Sequence, residues 1–598
     1  MIKLPLFQLD GRNLYYIFVA GAHRILENQS ELNNINFFPI KDNDTGTNLA
    51  STIRSVIDNI RPNRSFKITA NNIAEAALIG ARGNSGIIFA QFFYGISMEI
   101  SDKKIININD FADSLKKSIR YIYDAVANPV EGTILTVIKD WAEYIYSRKN
   151  SVFDFKEMLI NSFEILKKSL QETKSKLKIL SNSNVVDAGA KGFVFFIEGI
   201  INFISTGNLR KLLTEKVQNI SLIHSENAVD EIINYRYCTE AIIKDIKIDK
   251  KSLKNILQTN GDSAVVAGSE KISRIHVHTN QPAELFFKLK DYGTITFQKV
   301  DDMVRQNEVV TNRKWNIALV TDSTCDLPLE IMDKYQIHRL PLNLNFGENF
   351  YLDKVTIQPD QFYDLLSSFP EFPKTAQINE RSFTNLYAHL ASHYDAIISI
   401  HLTSQFSGTF LNSQKAAKRI RTEFGKPIIT IDSRNLSGAL GLIVLRLAQA
   451  IEKGLSLPEI EELSQKWVKN TKIFVSVKTL KYMVKGGRVS ATKGFISNLL
   501  NINPIVSMDE EGKSFLFGKT FSQKMNMKKV ILHIKSLMKK NTISDYIVLH
   551  AQNPNSAEWY IKEMKLITGK EPVSVINISP VIGMNAGIGA ASVAIMLD

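Results

Sequence analysis

The stretch Asn36-Phe37-Phe38-Pro39-Ile40-Lys41-Asp42-Asn43-Asp44-Thr45-Gly46-Thr47-Asn48 decides how the first third of this chain is read. Asp42 and Asp44 lie two residues apart in a segment too polar and glycine-bearing for a helix interior. An apolar approach precedes them, and hydroxyl and amide side chains follow at once. Such a loop can hold a hard cation through oxygen ligands and leave coordination positions for phosphates. The same residues also suit a solvated Asx-rich turn. A calcium loop is excluded, because counted from Asp42 the glycine falls at the fifth position and the twelfth is Ile53 rather than Glu.

Around this loop the pattern is helical from residue 11 to about 205. Apolar residues recur at spacings of three and four in Leu14–Leu26, Ala74–Ile96, Phe111–Ala127 and Phe155–Leu170. This predicts an all-α domain over residues 1–205, followed by a polar connector from Thr206 to Asp230. Over residues 231–312 short β-branched runs (Ala241-Ile242-Ile243, Ser263-Ala264-Val265-Val266, Ile275-His276-Val277-His278) flank a helix at Ser252–Leu257. That texture predicts a small α+β domain. From 315 to 598 strands alternate with helices, with clear strands at Trp315–Thr321, Ala396–His401, Pro427–Ile431, Lys472–Val477 and Tyr546–His550. The expectation there is a βαβ domain with a largely parallel sheet.

Bulk properties agree with a multidomain globular chain. At 598 residues roughly three to five domains are expected. Cys238 and Cys325 are the only cysteines, which argues against a disulfide framework and for a reducing cytoplasm. The formal charge of +13 comes from scattered lysines and arginines, with no basic run interleaved with aromatics, so nucleic acid is not the expected partner. Nucleotides and acidic lipids suit the excess equally well. The apolar run Leu14 to Ala22 follows Asp10 and Arg12 without a cleavage pattern, and reads as a buried helix rather than a signal peptide. Ile578 to Leu597 is uncharged, but Pro580, Gly583, Asn585, Gly587 and Gly589 suit a strand, a tight loop and a short helix better than a membrane span.

Three further polar loops precede apolar helical segments: Gly80-Ala81-Arg82-Gly83-Asn84-Ser85-Gly86, Asn128-Pro129-Val130-Glu131-Gly132-Thr133 and Asp187-Ala188-Gly189-Ala190-Lys191-Gly192. Small residues ahead of a helix let backbone amides approach an anion. Each loop alone also fits an ordinary helix connection, and there is no P-loop lysine motif or dinucleotide fingerprint. Together the four loops resemble those of the L-subunit family of dihydroxyacetone kinases, and more closely the kinase subunit of bacterial fatty acid kinase. The resemblance implies an eight-helix barrel whose loops hold ATP through magnesium. By it, Asp42, Asp44 and Asn36 ligate Mg2+, and Thr47 stands beside the transferred phosphate. Gly46, Asn48, Gly83, Asn84, Ser85, Gly86, Thr133 and Asp187 border the nucleotide. The chain departs from that family at Lys41, normally proline, and Asn43, normally glycine.

In the middle domain, His276-Val277-His278 puts both imidazoles on one face of a strand, and Cys238 could add a thiolate. The segment resembles the middle domain of the same kinase component, whose zinc ligands match Cys238, His276 and His278; the implied Zn2+ role is structural.

The C-terminal third carries polar segments at strand ends, among them Lys374-Thr375-Ala376-Gln377, Thr403-Ser404-Gln405-Phe406-Ser407-Gly408-Thr409, and Lys485-Gly486-Gly487-Arg488-Val489-Ser490. Hydroxyls and amides there can hold a carboxylate in the crevice of an open sheet, or serve as turns and caps. No Ser-His-Asp order or adjacent base supports a hydrolase, since Ser407 has no evident His partner. These segments resemble the DegV family of fatty-acid-binding proteins over nearly all of Trp315–Asp598, implying a two-lobed α/β domain. By that resemblance Thr375, Ser407, Gly408 and Asn585 border the fatty acid, and Arg488 lies near the phosphoryl acceptor. The family's His-Thr-Gly-Pro-Gly loop reads Asn585-Ala586-Gly587-Ile588-Gly589 here, and Ala376 replaces a serine.

The expectation is therefore a natural fusion of the two components of a fatty acid kinase, transferring phosphate from ATP to a bound fatty acid carboxylate. The resemblance further implies a homodimer, a downstream acyltransferase and peripheral contact with the membrane. A dihydroxyacetone-type kinase for a small hydroxyl substrate and a non-catalytic fatty-acid carrier are the alternatives.

Overall fold

The computed structural model describes residues 6–36, 44–206, 233–488 and 503–598, and divides into two compact units. The first contains the helical and middle domains, Met1–Gln281 with Leu289–Asn307; the second is Glu308–Asp598 with Pro282–Lys288. The connector read between Thr206 and Asp230 lies almost wholly outside the described residues.

Amphipathic periodicity becomes eight helices of 15 or more residues among the described part of the helical domain: Gly11–Glu27, Thr45–Asn59, Phe66–Gly80, Gly83–Glu99, Ile108–Ala125, Ile134–Arg148, Phe155–Lys176 and Ala188–Thr206. The periodic run Ala74–Ile96 is two helices rather than one. It breaks at Ala81-Arg82, where the chain turns extended before Gly83 enters the next helix at φ +56°. Ala188–Thr206 is the one helix among the described residues long and apolar enough to cross a membrane, yet 67% of that window is buried. Its Phe193 and Phe196 stack edge-to-face on Phe89, and its Gly199 lies against Gly11–Glu27, where a Cβ would stand 2.5 Å from the Ala20 carbonyl.

The middle domain is an antiparallel sheet in the order Asp262–Gly268, Ile272–Thr279, Tyr237–Lys244, Thr294–Asp302, with the helix Lys250–Asn260 following Tyr237–Lys244. Hydrogen bonds from the backbone seat it on the helices: Ala127 N donates to Ala264 O at 2.9 Å, and Gly268 N to Gln91 Oε1 at 2.8 Å.

Among the described residues the second unit holds three sheets. One is parallel throughout, in the order Ile428–Asp432, Ala396–His401, Ile317–Asp322, His338–Leu340. A small antiparallel sheet joins Asn349–Leu352, Asn343–Phe346 and Lys374–Ala376. The third has six strands in the order Ser514–Thr520, Asn503–Met508, Thr471–Ser476, Ala591–Leu597, Ile543–His550, Ser574–Asn577, of which only the last pair is parallel. The expectation of a largely parallel sheet thus holds for one lobe and is wrong for the other. Apolar runs report burial of both faces and say nothing of strand direction. Ile578 to Leu597 resolves into the helix Pro580–Ala586, a turn and the strand Ala591–Leu597.

Because the nearest atom to a Cβ on Gly199 is backbone, Gly199→Ala forces the first and last helices apart. The expected loss is about 1–3 kcal/mol, read as a lower melting transition of the helical signal by circular dichroism; an unchanged transition would contradict this packing.

Candidate functional site

Four helices of the first unit begin at the sequence-predicted loops, and the first amides of each have no partner within their own helix. Thr133 Oγ1 accepts from Leu135 N, and Asp187 Oδ1 accepts from Ala190 N at 2.7 Å, so each heads its helix as a side-chain cap. The described parts of the four loops meet. Gly83 has no room for a Cβ against the Asn48 amide, and a Cβ on Gly86 would lie 2.5 Å from Thr52 Oγ1. Gly189 faces Ser85 in the same way, at 2.7 Å from its Oγ. Asp187 also accepts from the backbone of Ile134, which brings in the loop ending at Thr133. Burial pushes the Asp187 carboxyl up to about 6, against the hydrogen bonds from Ala190 and Ile134.

Thr47 is held from the short helix Gln29–Asn34: its Oγ1 accepts from Gln29 Nε2 at 3.2 Å and Asn33 Nδ2 at 3.1 Å. Its amide donates to Asn33 Oδ1 at 3.0 Å, while Gly46 lies against the Gln29 carbonyl. Asn36 is buried, and its amide donates to Asn33 O. Asn84 Oδ1 is buried at the loop cluster with no hydrogen-bond partner among the described residues. Asp44 stands directly before the helix Thr45–Asn59. Asp42, with Lys41 and Asn43, lies outside the described residues.

Sheet register explains the second cluster. Cys238 pairs with His278, and Glu240 with His276; on the outer strands Asp262 pairs with His278, Asp301 with Cys238 and Lys299 with Glu240. Residues two apart on a strand share a face, so the register groups these side chains together. The donor atoms of Cys238, His276 and His278 all lie within 4.8 Å of one another, with Cys238 Sγ 3.9 Å from His276 Nδ1. His278 Nδ1 is 3.1 Å from Asp262 Oδ1, the carboxylate support that a metal-ligating imidazole commonly has. His276 Nε2 is buried without a partner among the described residues. This soft-plus-imidazole donor set fits zinc. Burial pushes the Cys238 thiol well up, reinforced by Glu240 and Asp301, and a divalent cation would reverse that balance.

Glu240 was not singled out from the sequence, although its place two residues after Cys238 puts it on the same face. Its Oε1 accepts from Gly83 N at 2.6 Å and its Oε2 from Arg274 Nη2 at 2.6 Å, in an ion pair 2% exposed on both sides. Burial alone would raise its carboxyl; the Arg274 charge, with His276 and Lys299, outweighs that and holds it well below the usual range. Glu240 thus caps, from the middle sheet, a helix whose own Arg82 supplies no side-chain cap.

In the second unit Thr375 pairs with Leu344 on the small sheet, and the side chain of Gln377 abuts Gly408. Ser407 Oγ and Thr409 Oγ1 are 2.9 Å apart at the head of the helix Thr409–Phe424. Arg488 Nη1 donates to the Gly486 carbonyl, and Gly486 in turn leaves no room for a Cβ against Asn585 Oδ1, a buried atom with no hydrogen-bond partner among the described residues. Phe372 stands beside this group, with Tyr482 6.5 Å from its ring centre and Lys485 Nζ 5.6 Å. The structure thus brings Arg488 and Asn585 together at Gly486, and Ser407 and Gly408 together at the start of one helix. The helix Pro580–Ala586, which carries Asn585, is anchored by residues the sequence reading missed: Ser579 N donates to Asp326 Oδ1, Val581 N donates to Asp353 Oδ1, and Lys354 pairs with Asp326. A serine–histidine–aspartate line does occur: His401 Nδ1 is 3.2 Å from Asp322 Oδ2, and its Nε2 is 2.7 Å from Ser399 Oγ. All three are fully buried and Ser399 accepts from Tyr387, so the line is a satisfied core network.

Comparison with known proteins follows the same divisions. Residues 39–202 match the DAK2 domain, 234–310 the FakA-like middle domain of fatty acid kinase, and 316–598 the DegV family of uncharacterised proteins. The chain therefore joins these three domains in one polypeptide. It is 32% identical over 321 residues to an uncharacterised protein of Staphylococcus haemolyticus, covering 52% of this chain and 58% of that protein. With an uncharacterised protein of Staphylococcus aureus (strain USA300) it shares 30% identity over 322 residues, 52% of this chain and 59% of the other. The chain thus spans less than two thirds of these curated relatives. Among solved structures it is similar to DegV, a fatty acid binding protein from Bacillus subtilis (28% identity, TM-score 0.43, 48% of this chain and 100% of that one). A fatty-acid-binding DegV family protein from Thermus thermophilus gives 24% identity and TM-score 0.44 over 47% and 100% of the two chains.

Burial pushes the Asp353 carboxyl up to about 7, against the Lys354 charge and the hydrogen bonds from Ser323 and Val581. In the unfolded chain it ionises near pH 4, so its protonated form favours the fold fully below about pH 4, and that contribution is lost as pH rises through about 7. Asp353→Asn should therefore melt progressively higher relative to the unsubstituted chain between about pH 5 and about pH 8. A difference constant with pH would contradict the buried, protonated carboxyl.

Proposed function

We propose that this chain phosphorylates the carboxylate of a bound fatty acid with ATP, giving an acyl phosphate. The observation that carries the reading is the convergence of four helix-heading loops in a domain matching DAK2, in one polypeptide with a FakA-like middle domain and a DegV domain. The helices are read as the eight-helix barrel of that kinase family. Asp42, Asp44 and Asn36 would hold magnesium, which neutralises phosphate charge and aligns the reacting oxygens when bound. The first amides of the helix Gly83–Glu99, other than the one Glu240 occupies, would receive phosphate oxygens, with Ser85 and Asn84 adding side-chain groups beside them. Thr47 is oriented by Asn33 and Gln29 to hydrogen-bond the transferred group. Asp187 and Thr133 fix two further loops that border the nucleotide.

On the acceptor side, Thr375 and Ser407 would hold the carboxylate by neutral hydrogen bonds, which orient it while leaving its oxygen nucleophilic. Arg488 supplies a positive charge there, and the unpartnered Asn585 Oδ1 keeps a polar group beside it at the loop end. Joining donor and acceptor domains raises the effective concentration of one at the other, within a chain or across a homodimer. The reading includes a cytoplasmic location, peripheral contact with membrane lipid and an acyltransferase that consumes the product.

Oleate-dependent ATP consumption tests the division of labour. Asp42→Ala and Asp44→Ala should each lower it by roughly 100-fold or more while the protein keeps its bound fatty acid. Combined Thr375→Val and Ser407→Ala should instead weaken fatty acid binding about tenfold, in line with the loss of hydrogen bonds to a charged group. Full activity in either aspartate variant would overturn the metal assignment.

A further inference from the structure

Glu240 touches both candidate centres of the first unit. One oxygen accepts from the Gly83 amide at 2.6 Å and lies 3.6 Å from His276 Nδ1, the same nitrogen that stands 3.9 Å from Cys238 Sγ. The other oxygen is held by Arg274. The carboxylate is buried, its partners are buried, and it heads the helix that begins at the second loop. A group fixed this tightly cannot adjust to a change on one side without changing what it offers the other.

We propose that Glu240 is a coupling residue: occupancy of the Cys238–His276–His278 cluster by zinc and occupancy of the four-loop site by nucleotide are thermodynamically linked through it. This rests on the nucleotide reading proposed above and adds a regulatory property to that site. The sign follows from charge. A divalent cation with one thiolate adds net positive charge beside Glu240 and within reach of the Gly83–Glu99 helix start, where nucleotide polyphosphate would lie. Zinc also holds His276 in place as a ligand, which leaves Glu240 committed to Gly83 and Arg274 and keeps the loop in its phosphate-ready form. Zinc therefore tightens nucleotide binding, and by reciprocity nucleotide tightens zinc binding by the same factor.

The experiment measures the affinity of Mg-ADP for the full-length chain by calorimetry, with zinc bound and after removal by a zinc-selective chelator. Zinc should tighten Mg-ADP binding by about fivefold or more, and a competition titration should show Mg-ADP tightening zinc by the same factor. In Glu240→Gln both ligands should still bind, with the factor falling close to one. Removing this charge leaves Arg274 buried and unpaired, so Glu240→Asp, which keeps the charge but shortens the reach to Gly83, is measured alongside: the factor should fall there too, and a factor as large as that of the unsubstituted chain overturns the role of Glu240. Equal Mg-ADP affinity with and without zinc overturns the coupling while leaving the nucleotide reading intact. No Mg-ADP binding in either form overturns both, and a factor retained in Glu240→Gln overturns the role of Glu240.

Discussion

The approach of Gly83 to Asn48, of Gly86 to Thr52 and of Gly189 to Ser85 admits no side chain at any of the three glycines. That constraint is what turns separate helix connections into one site. Helix starts carry unpaired amides and partial positive charge, and three of them pressed together make a region suited to an anion. Their apolar sides are locked by the helical core, where Phe193 and Phe196 stack on Phe89. The loops are thereby held by rigid elements rather than by their own conformational preferences.

Buried charge extends this order beyond the helices. Glu240 reaches from the middle sheet to the head of the Gly83–Glu99 helix, and Arg274 makes its burial tolerable. Removing either partner would strand the other in a low-dielectric setting. In the second unit the buried Asp326–Lys354 pair plays the same part, beside the Asp353 carboxyl that burial keeps protonated below about pH 7. Asp326, Asp353 and Lys354 hold the start of the short helix Pro580–Ala586, and that helix presents Asn585 to Gly486 beside Arg488. In both places a carboxylate from a distant segment fixes a helix start that its own sequence leaves uncapped.

Much of this was legible in the residues. Helical spacing marked most of the long helices, and short β-branched runs marked the strands carrying Cys238, His276 and His278. The polar loops stood out because glycine, asparagine and hydroxyl residues interrupt apolar periodicity. What stayed hidden depends on partners distant in sequence. Periodicity in Ala74–Ile96 continued across Ala81-Arg82 because both helices bury the same kind of face. The antiparallel lobe escaped because its strands are covered on both faces, as parallel strands are. Glu240 and Asp353 look like ordinary surface acids until register and burial give them Gly83 and Val581 as neighbours. Phe372 is one aromatic among many in the sequence, and only the fold sets it beside Tyr482 and Lys485.

The central claim is that one chain brings a phosphoryl donor to a fatty acid carboxylate. Its most direct test is to incubate the purified chain alone with Mg-ATP and oleate, trap with hydroxylamine, and measure oleoyl hydroxamate by mass spectrometry. The account predicts hydroxamate that accumulates with time and requires ATP. Bound ATP and bound oleate with no hydroxamate above the ATP-free control would contradict it.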